Sequence, residues 1–183
     1  MNRTQLRSAG ITLLSLTSWF GPGLCNTYAD ETYGAWSVAV SDDRSFVYAA
    51  TTNDSGALLG EYCYPGKGSC MWILGTKTKC EEGAKYPMLA NSNAGAFQLQ
   101  VTCGGLAPNS LYSLAFTNFD DVDHLIKNGA KIGFAIPLQA DEFRVIRFIL
   151  NGSSQAITSM RSVATKMNVR QLSGKTGTKD QDI

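Results

Sequence analysis

Four cysteines hold the densest chemical potential in this chain. Cys63, Cys70 and Cys80 fall inside "EYCYPGKGSCMWILGTKTKC", and Cys103 follows. Cysteines so placed can ligate a metal, act as a nucleophile or pair as disulfides. Structural zinc draws on close Cys or Cys/His pairs at short fixed spacing. Here the spacings are seven, ten and twenty-three, and the sole histidine, His124, lies in an acidic stretch. A nucleophilic cysteine needs a neighbouring base, and one histidine supports that poorly. Disulfide pairing fits best, and no metal is expected.

The other polar clusters offer less. In "DDVDH", Asp120 and His124 are four apart and share a helix face, with Asp123 beside them. One helical turn leaves a cation short of ligands, and acids at a helix start suit the helix dipole. This cluster reads as helix capping. Glu81-Glu82 reads as a solvated turn, because a carboxylate pair for acid–base work needs its second acid across a cleft. Gly174-Lys175-Thr176 resembles the end of a phosphate loop but lacks the earlier glycine and the preceding strand. No Gly-x-Ser-x-Gly elbow occurs. The sequence therefore assigns no catalytic residue, no cofactor and no enzymatic activity.

The compartment decides how the cysteines are used. Arg3 and Arg7 precede an apolar run from about Ala9 to Leu24, and Thr27 and Ala29 are small residues before Asp30. That order predicts a secretory signal peptide over 1–29. Its apolar part is shorter than the roughly 20 residues that cross a bilayer. A lipoprotein signal wants a small residue before its cysteine, and Leu24 precedes Cys25, which argues against lipidation. Cleavage before Asp30 leaves four cysteines, an even number that an exported protein oxidises. Of the three pairings, Cys63–Cys70 and Cys80–Cys103 are expected. The first closes a turn supplied by Pro65-Gly66 and Gly68-Ser69.

Aromatic residues gather around the stapled turn. Tyr62, Tyr64, Pro65 and Lys67 form the expected binding surface, since aromatics beside a rigid loop make good anchors. Trp72 is expected in the core. Charge adds an exclusion. Residues 30–150 carry nine basic and thirteen acidic side chains, net −4, while residues 151–183 carry five and two, net +3. Nowhere is Lys/Arg dense enough to favour nucleic acid as a partner, and no transmembrane segment is expected.

The elements that must position these residues follow from periodicity. Alternating or β-branched runs predict strands over 33–43, 45–52, 57–64, 69–80, 86–93, 94–103 and 111–119. A short helix is expected over 118–129, capped by Asn118 or Asp120 and stopped by a left-handed Gly129. Strands over 130–138 and 143–150 should form a hairpin. In the second, Phe143, Val145, Arg147 and Ile149 share one face. A last amphipathic helix spans 155–172, with Ala156, Ile157, Met160, Val163, Ala164 and Met167 as its stripe. "NGSS" before it reads as turn and cap. The fold class is mainly β: a disulfide-stapled antiparallel β-sandwich or barrel with a short helix and a C-terminal helix. Residues 30–172 make a single domain, and 173–183 a disordered tail.

"YGAWSV" and "DDVDHLIKNGAKIGFAIPLQADEFRVIRFILNGSSQAITSM" resemble the invasion-associated locus B family of secreted bacterial proteins. The residues that carry the resemblance are Gly34, Trp36, Val38, Leu125, Lys127, Gly129, Phe134, Pro137, Leu150, Gly152 and Ala156. The family usually has a cysteine after its early tryptophan strand and others in its second half. Here that strand has none, and none follows Cys103. The resemblance implies an envelope β-sandwich without established enzyme chemistry and supplies no catalytic residue. The expected function is a non-enzymatic, periplasmic or secreted protein that binds another envelope or host protein. The alternative is a periplasmic inhibitor or immunity protein whose stapled loop blocks an enzyme cleft.

Overall fold

The structure is a computed structural model that describes residues 31–137 and 142–175, with side chains to residue 169. The expected signal peptide, Cys25 and residues 176–183 lie outside the described residues. In chain order the elements are β1 (Glu31–Tyr33), β2 (Trp36–Val40), β3 (Val47–Thr52), β4 (Leu58–Tyr64), a 3-10 turn (Pro65–Lys67), β5 (Ser69–Thr76), β6 (Lys85–Ser92), β7 (Gly95–Leu106), β8 (Tyr112–Phe116), α1 (Phe119–Asn128), β9 (Lys131–Pro137), β10 (Phe143–Ile149) and α2 (Ser153–Lys175). The expected class holds: the protein is mainly antiparallel β with two helices and two disulfides.

One ten-stranded sheet runs β1-β2-β3-β4-β5-β8-β7-β6-β9-β10. Its first five strands form a meander through tight turns. β8 then pairs with β5, and β6 lies between β7 and β9. The sheet is not closed, yet it coils until its ends meet. Ala35 N–H, in the β1–β2 turn, donates to the Asn151 carbonyl at 3.0 Å. Asn53 Nδ2, after β3, donates to the Arg147 carbonyl of β10 at 3.0 Å. Inward residues from β2 through β10 thus share one hydrophobic core, which holds Trp36, Leu59, Trp72, Val101, Phe134 and Phe148. Trp36 and Trp72 meet edge to face, with centroids 6.2 Å apart. Their indole N–H groups have no hydrogen-bond partner among the described residues.

The helices cover the inner face of the sheet. α2 buries Ala156, Ile157 and Met160 completely and packs on β1 through β4. It starts at Ser153, whose buried hydroxyl donates to the Ile126 carbonyl at the end of α1. It runs to Lys175, three residues past the expected end. α1 buries Val122, Leu125 and Ile126 against β5, β9 and α2.

Both expected ends of α1 differ in detail. Asn118 is the residue before the helix, but its side chain makes no cap. Its Oδ1 accepts from Gln100 N–H at 2.9 Å, which anchors the helix start to β7. Gly129 is extended, with φ −90° and ψ 158°, not left-handed. Glycine is needed there for closeness: a Cβ would sit 2.5 Å from the Leu125 carbonyl oxygen and 3.0 Å from Leu150.

Candidate binding surface

Strand alternation builds the surface. In β3, Val47 and Ala49 point inward, so Tyr48 points out. In β4, Leu59, Glu61 and Cys63 point inward, so Tyr62 and Tyr64 point out. Register sets Tyr48 directly across from Tyr62. Their rings stack, with centroids 5.4 Å apart and planes 20° apart. Phe46, just before β3, sits among the three tyrosines, 6.0 Å from Tyr48, 5.8 Å from Tyr62 and 5.6 Å from Tyr64. All four rings are half-buried. They form a continuous aromatic platform on the outside of the sheet.

Gly60 lets Tyr62 lie flat. A Cβ at that glycine would meet the Tyr62 ring at 3.1 Å and Ala50 Cβ at 2.9 Å. Burial, and then the neighbouring hydroxyls of Tyr48 and Tyr64, push the Tyr62 phenol up to about 12. The ring is therefore uncharged across the physiological range.

The stapled turn borders the platform. Cys63 and Cys70 are directly opposed in the β4–β5 pair and joined as a disulfide. Gly68, at φ +62°, closes the turn by donating to the Pro65 carbonyl. Lys67 is exposed at the tip, its ammonium 5.5 Å from the Tyr64 ring centre, in cation–π range. Of the four residues expected at the surface, Tyr62, Tyr64 and Lys67 reach it. Pro65 is buried and supports the turn from below. The sequence reading missed Phe46 and Tyr48, which only strand register brings beside Tyr62. The expected pairing Cys80–Cys103 is also present and ties the β5–β6 connection to β7.

An ion network stands behind the platform. Glu61 is wholly buried on the inner face of β4. Arg161 of α2 clasps it with hydrogen bonds from Nε to Oε1 and from Nη2 to Oε2, each 2.9 Å, and a longer one from Nε to Oε2 at 3.2 Å. Arg161 Nη2 also reaches Asp123 Oδ1 of α1 at 2.5 Å, and Lys127 lies 3.6 Å from Asp123. Burial raises the Glu61 pKa, and Arg161 offsets part of that rise. Burial opposes the Arg161 charge, but Glu61 and Asp123 outweigh it and hold the guanidinium pKa above its ordinary value. Glu61, Cys63 and Cys70 bring potential metal ligands within 4.8 Å of one another. The sulfurs are committed to a disulfide and the carboxylate to Arg161, so this donor set does not suit a metal.

His124 is exposed and lies against Asn128, whose Nδ2 is 3.3 Å from His124 Nδ1, while Asp123 serves Arg161 and Lys127. A second concave region, of about 980 Å³, runs over the outer face of β6, β9 and β10. Leu89, Val145 and Ile149 line it in exposed positions, with Arg147, Asn91 and Asp54 as polar neighbours. That Val145, Arg147 and Ile149 share a face was legible from alternation; that this face points outward was not.

No family model matches the chain, and no curated protein matches it. Among solved structures, the chain is similar to invasion associated protein B from Bartonella henselae, with a TM-score of 0.55 and 15% identity. The match covers 74% of this chain and 97% of that one. At that identity the likeness establishes a shared fold. It agrees with the fold implied by the resemblance noted from sequence. Among the described residues, no helix is long and apolar enough to cross a membrane.

Proposed function

We propose that this is an exported envelope protein, related in role to the invasion-associated proteins whose fold it shares, that binds a protein partner without catalysing a reaction. The observation that carries this reading is the platform of Phe46, Tyr48, Tyr62 and Tyr64, with Lys67 at its border. Aromatic side chains dominate interface energetics because they bury large area at small entropic cost. Sheet register and a disulfide hold these rings in place before any partner arrives, so little order remains to be imposed on binding. Two disulfides and the expected signal peptide support an oxidising compartment outside the cytoplasm.

The test is capture of envelope or host-surface proteins by cross-linking to the purified protein. The wild type should enrich a partner that Tyr62→Ala/Tyr64→Ala loses and Leu89→Ala keeps. A partner retained by the platform variant and lost by the Leu89 variant would move the binding site to the β6–β9–β10 face. The inhibitor reading draws on the stapled turn that projects Lys67. Cell-wall hydrolases should then be inhibited at micromolar protein, and Lys67→Ala should relieve the inhibition.

A further inference from the structure

Two concavities adjoin along β10, where the coiled sheet meets itself. One, of about 380 Å³, lies between the β3–β4 turn, the end of β5 and β10, and Ser55, Lys77 and Arg144 line it. The other is the region of about 980 Å³ over β6, β9 and β10. Val145 lines both. Charge gathers here against the trend of the fold. Lys77, Arg144, Lys131 and Arg147 line the two concavities, and Asp54 is the one acidic residue in either lining. None of these four cations forms an ion pair among the described residues. Residues 30–150 are net −4 as a whole, so this patch is a local reversal of sign.

The smaller concavity holds its cations in place. Arg144 Nη1 donates to Thr78 Oγ1 at 3.0 Å, and Thr78 N–H donates to the hydroxyl of buried Thr76 at 3.1 Å. The Nε–Nη2 edge of Arg144, the same fork that Arg161 presents to Glu61, has no partner among the described residues. Lys77 Nζ lies over the β3–β4 turn, 3.7 Å from where a Cβ at Gly56 would stand. The larger concavity is an apolar trough. Register sets Leu89, Ala135 and Val145 in one row across β6, β9 and β10, and Asn91, Gly133 and Arg147 in the next. The small residues of β9 thus form a floor between taller side chains, of which Leu89 is 55% and Val145 43% exposed. Packing does not demand that floor. A Cβ at Gly133 would make ordinary contacts, 3.5 Å to Val145 and 3.7 Å to Arg147, and its φ is not positive.

An apolar trough that opens beside unpaired cations complements an amphiphile with one negative end. A guanidinium fork matches the two oxygens of a carboxylate. We propose that the two concavities together bind a single fatty acid. Its carboxylate sits between Lys77 and the open fork of Arg144, and its alkyl chain crosses Val145 and Ala135 to Leu89. From β10 to β6 is two strand spacings, about 10 Å, so a short acid fills only the charged end. The trough is concave, which suits one alkyl chain and not the flat face of a bilayer. This site stands apart from the aromatic platform on β3 and β4. A fatty acid can bind with no protein partner present, and a partner can bind the platform with the trough empty.

The experiment titrates the folded, oxidised protein with a fluorescent fatty acid and displaces it with decanoate, decanol or butyrate. The fluorescent acid should bind at one molecule per chain, and decanoate should displace it. Decanol and butyrate should each be weaker than decanoate by about tenfold or more, since each lacks one half of the interaction. Lys77→Gln/Arg144→Gln should weaken decanoate about tenfold and leave decanol unchanged, a split that a general loss of structure would not produce. Gly133→Leu fills the trough and should abolish binding of both. Leu89→Glu, at an exposed position, should do the same and decides the point if Gly133→Leu fails to fold. Tyr62→Ala/Tyr64→Ala should change nothing. Decanol as tight as decanoate, binding that survives Leu89→Glu, or binding lost in the tyrosine variant would each overturn the proposal. So would adherence to phosphatidylglycerol vesicles without saturable binding of the fluorescent acid, which would make the patch a membrane-facing surface.

Discussion

At the scale of residues, the platform and the network behind it make opposite use of burial. Tyr62 is a neutral group kept neutral. Its phenol ionises at about 12 in the folded protein against an ordinary 10. A raised folded value means that stability is full below pH 10 and is lost as pH rises toward 12. Absorbance titration should therefore show one late tyrosine that Tyr62→Phe removes, and the wild type should lose stability over that interval. Glu61 is a charged partner kept charged by Arg161. Arg161→Ala strands its carboxylate inside the protein and should cost about 3 kcal/mol, the low end for a broken buried pair because the outer side of Arg161 meets water. Glu61→Leu/Arg161→Met removes both charges and should recover most of that loss in a denaturant melt. A double variant as weak as Arg161→Ala would mean that packing, not the stranded charge, set the cost. None of this pairing was legible in the sequence, because Glu61 and Arg161 lie 100 residues apart.

At the scale of elements, local pattern located the structure and tertiary contact refined it. Alternation found nearly every strand, and helical spacing found the buried stripes of α1 and α2. The three-residue β1 is too short to carry a period and was missed. Gly129 shows how a correct residue can have another cause: its place at the helix end was visible, but the crowding by the Leu125 carbonyl and by Leu150 that demands glycine was not. The turns that join the ends of the sheet carry the sharpest constraint. Gly152 has φ +89°, and a Cβ there would lie within 1.9 Å of the Tyr33 carbonyl oxygen. Gly34 has φ +58° and would collide with the Asn151 carbonyl at 2.6 Å. Each glycine makes room for the other turn. Gly152→Ala should lower stability by at least about 2 kcal/mol, combining left-handed strain with a backbone clash. Thermal melting checks it, and a change under about 0.5 kcal/mol would show that the turns separate without cost.

At the scale of the whole molecule, the order of strands was the part the sequence could not give. The meander through β5 follows from short turns, but the β5–β8 and β6–β9 pairings join strands distant along the chain, and no local periodicity encodes them. The disulfides were legible because an even cysteine count and the expected signal peptide constrain them, and they bear unequally on this topology. Cys63–Cys70 closes a separation of 7 residues within one hairpin. Cys80–Cys103 closes 23 and encloses β6, which must find both β7 and β9. In the chain-entropy account the longer loop contributes about 3 kcal/mol and the shorter about 2. Each pair has one buried cysteine, Cys63 at 1% and Cys103 at 2% exposure, so packing losses are comparable and the loop difference should show. Denaturant melts should place Cys80→Ala/Cys103→Ala about 1 kcal/mol below Cys63→Ala/Cys70→Ala. The reverse order would mean that the short staple stabilises the native hairpin directly, by holding the turn that borders the aromatic platform. Partner capture by Cys63→Ala/Cys70→Ala would then fall with its stability, because the same turn would be ordering Tyr64 and Lys67.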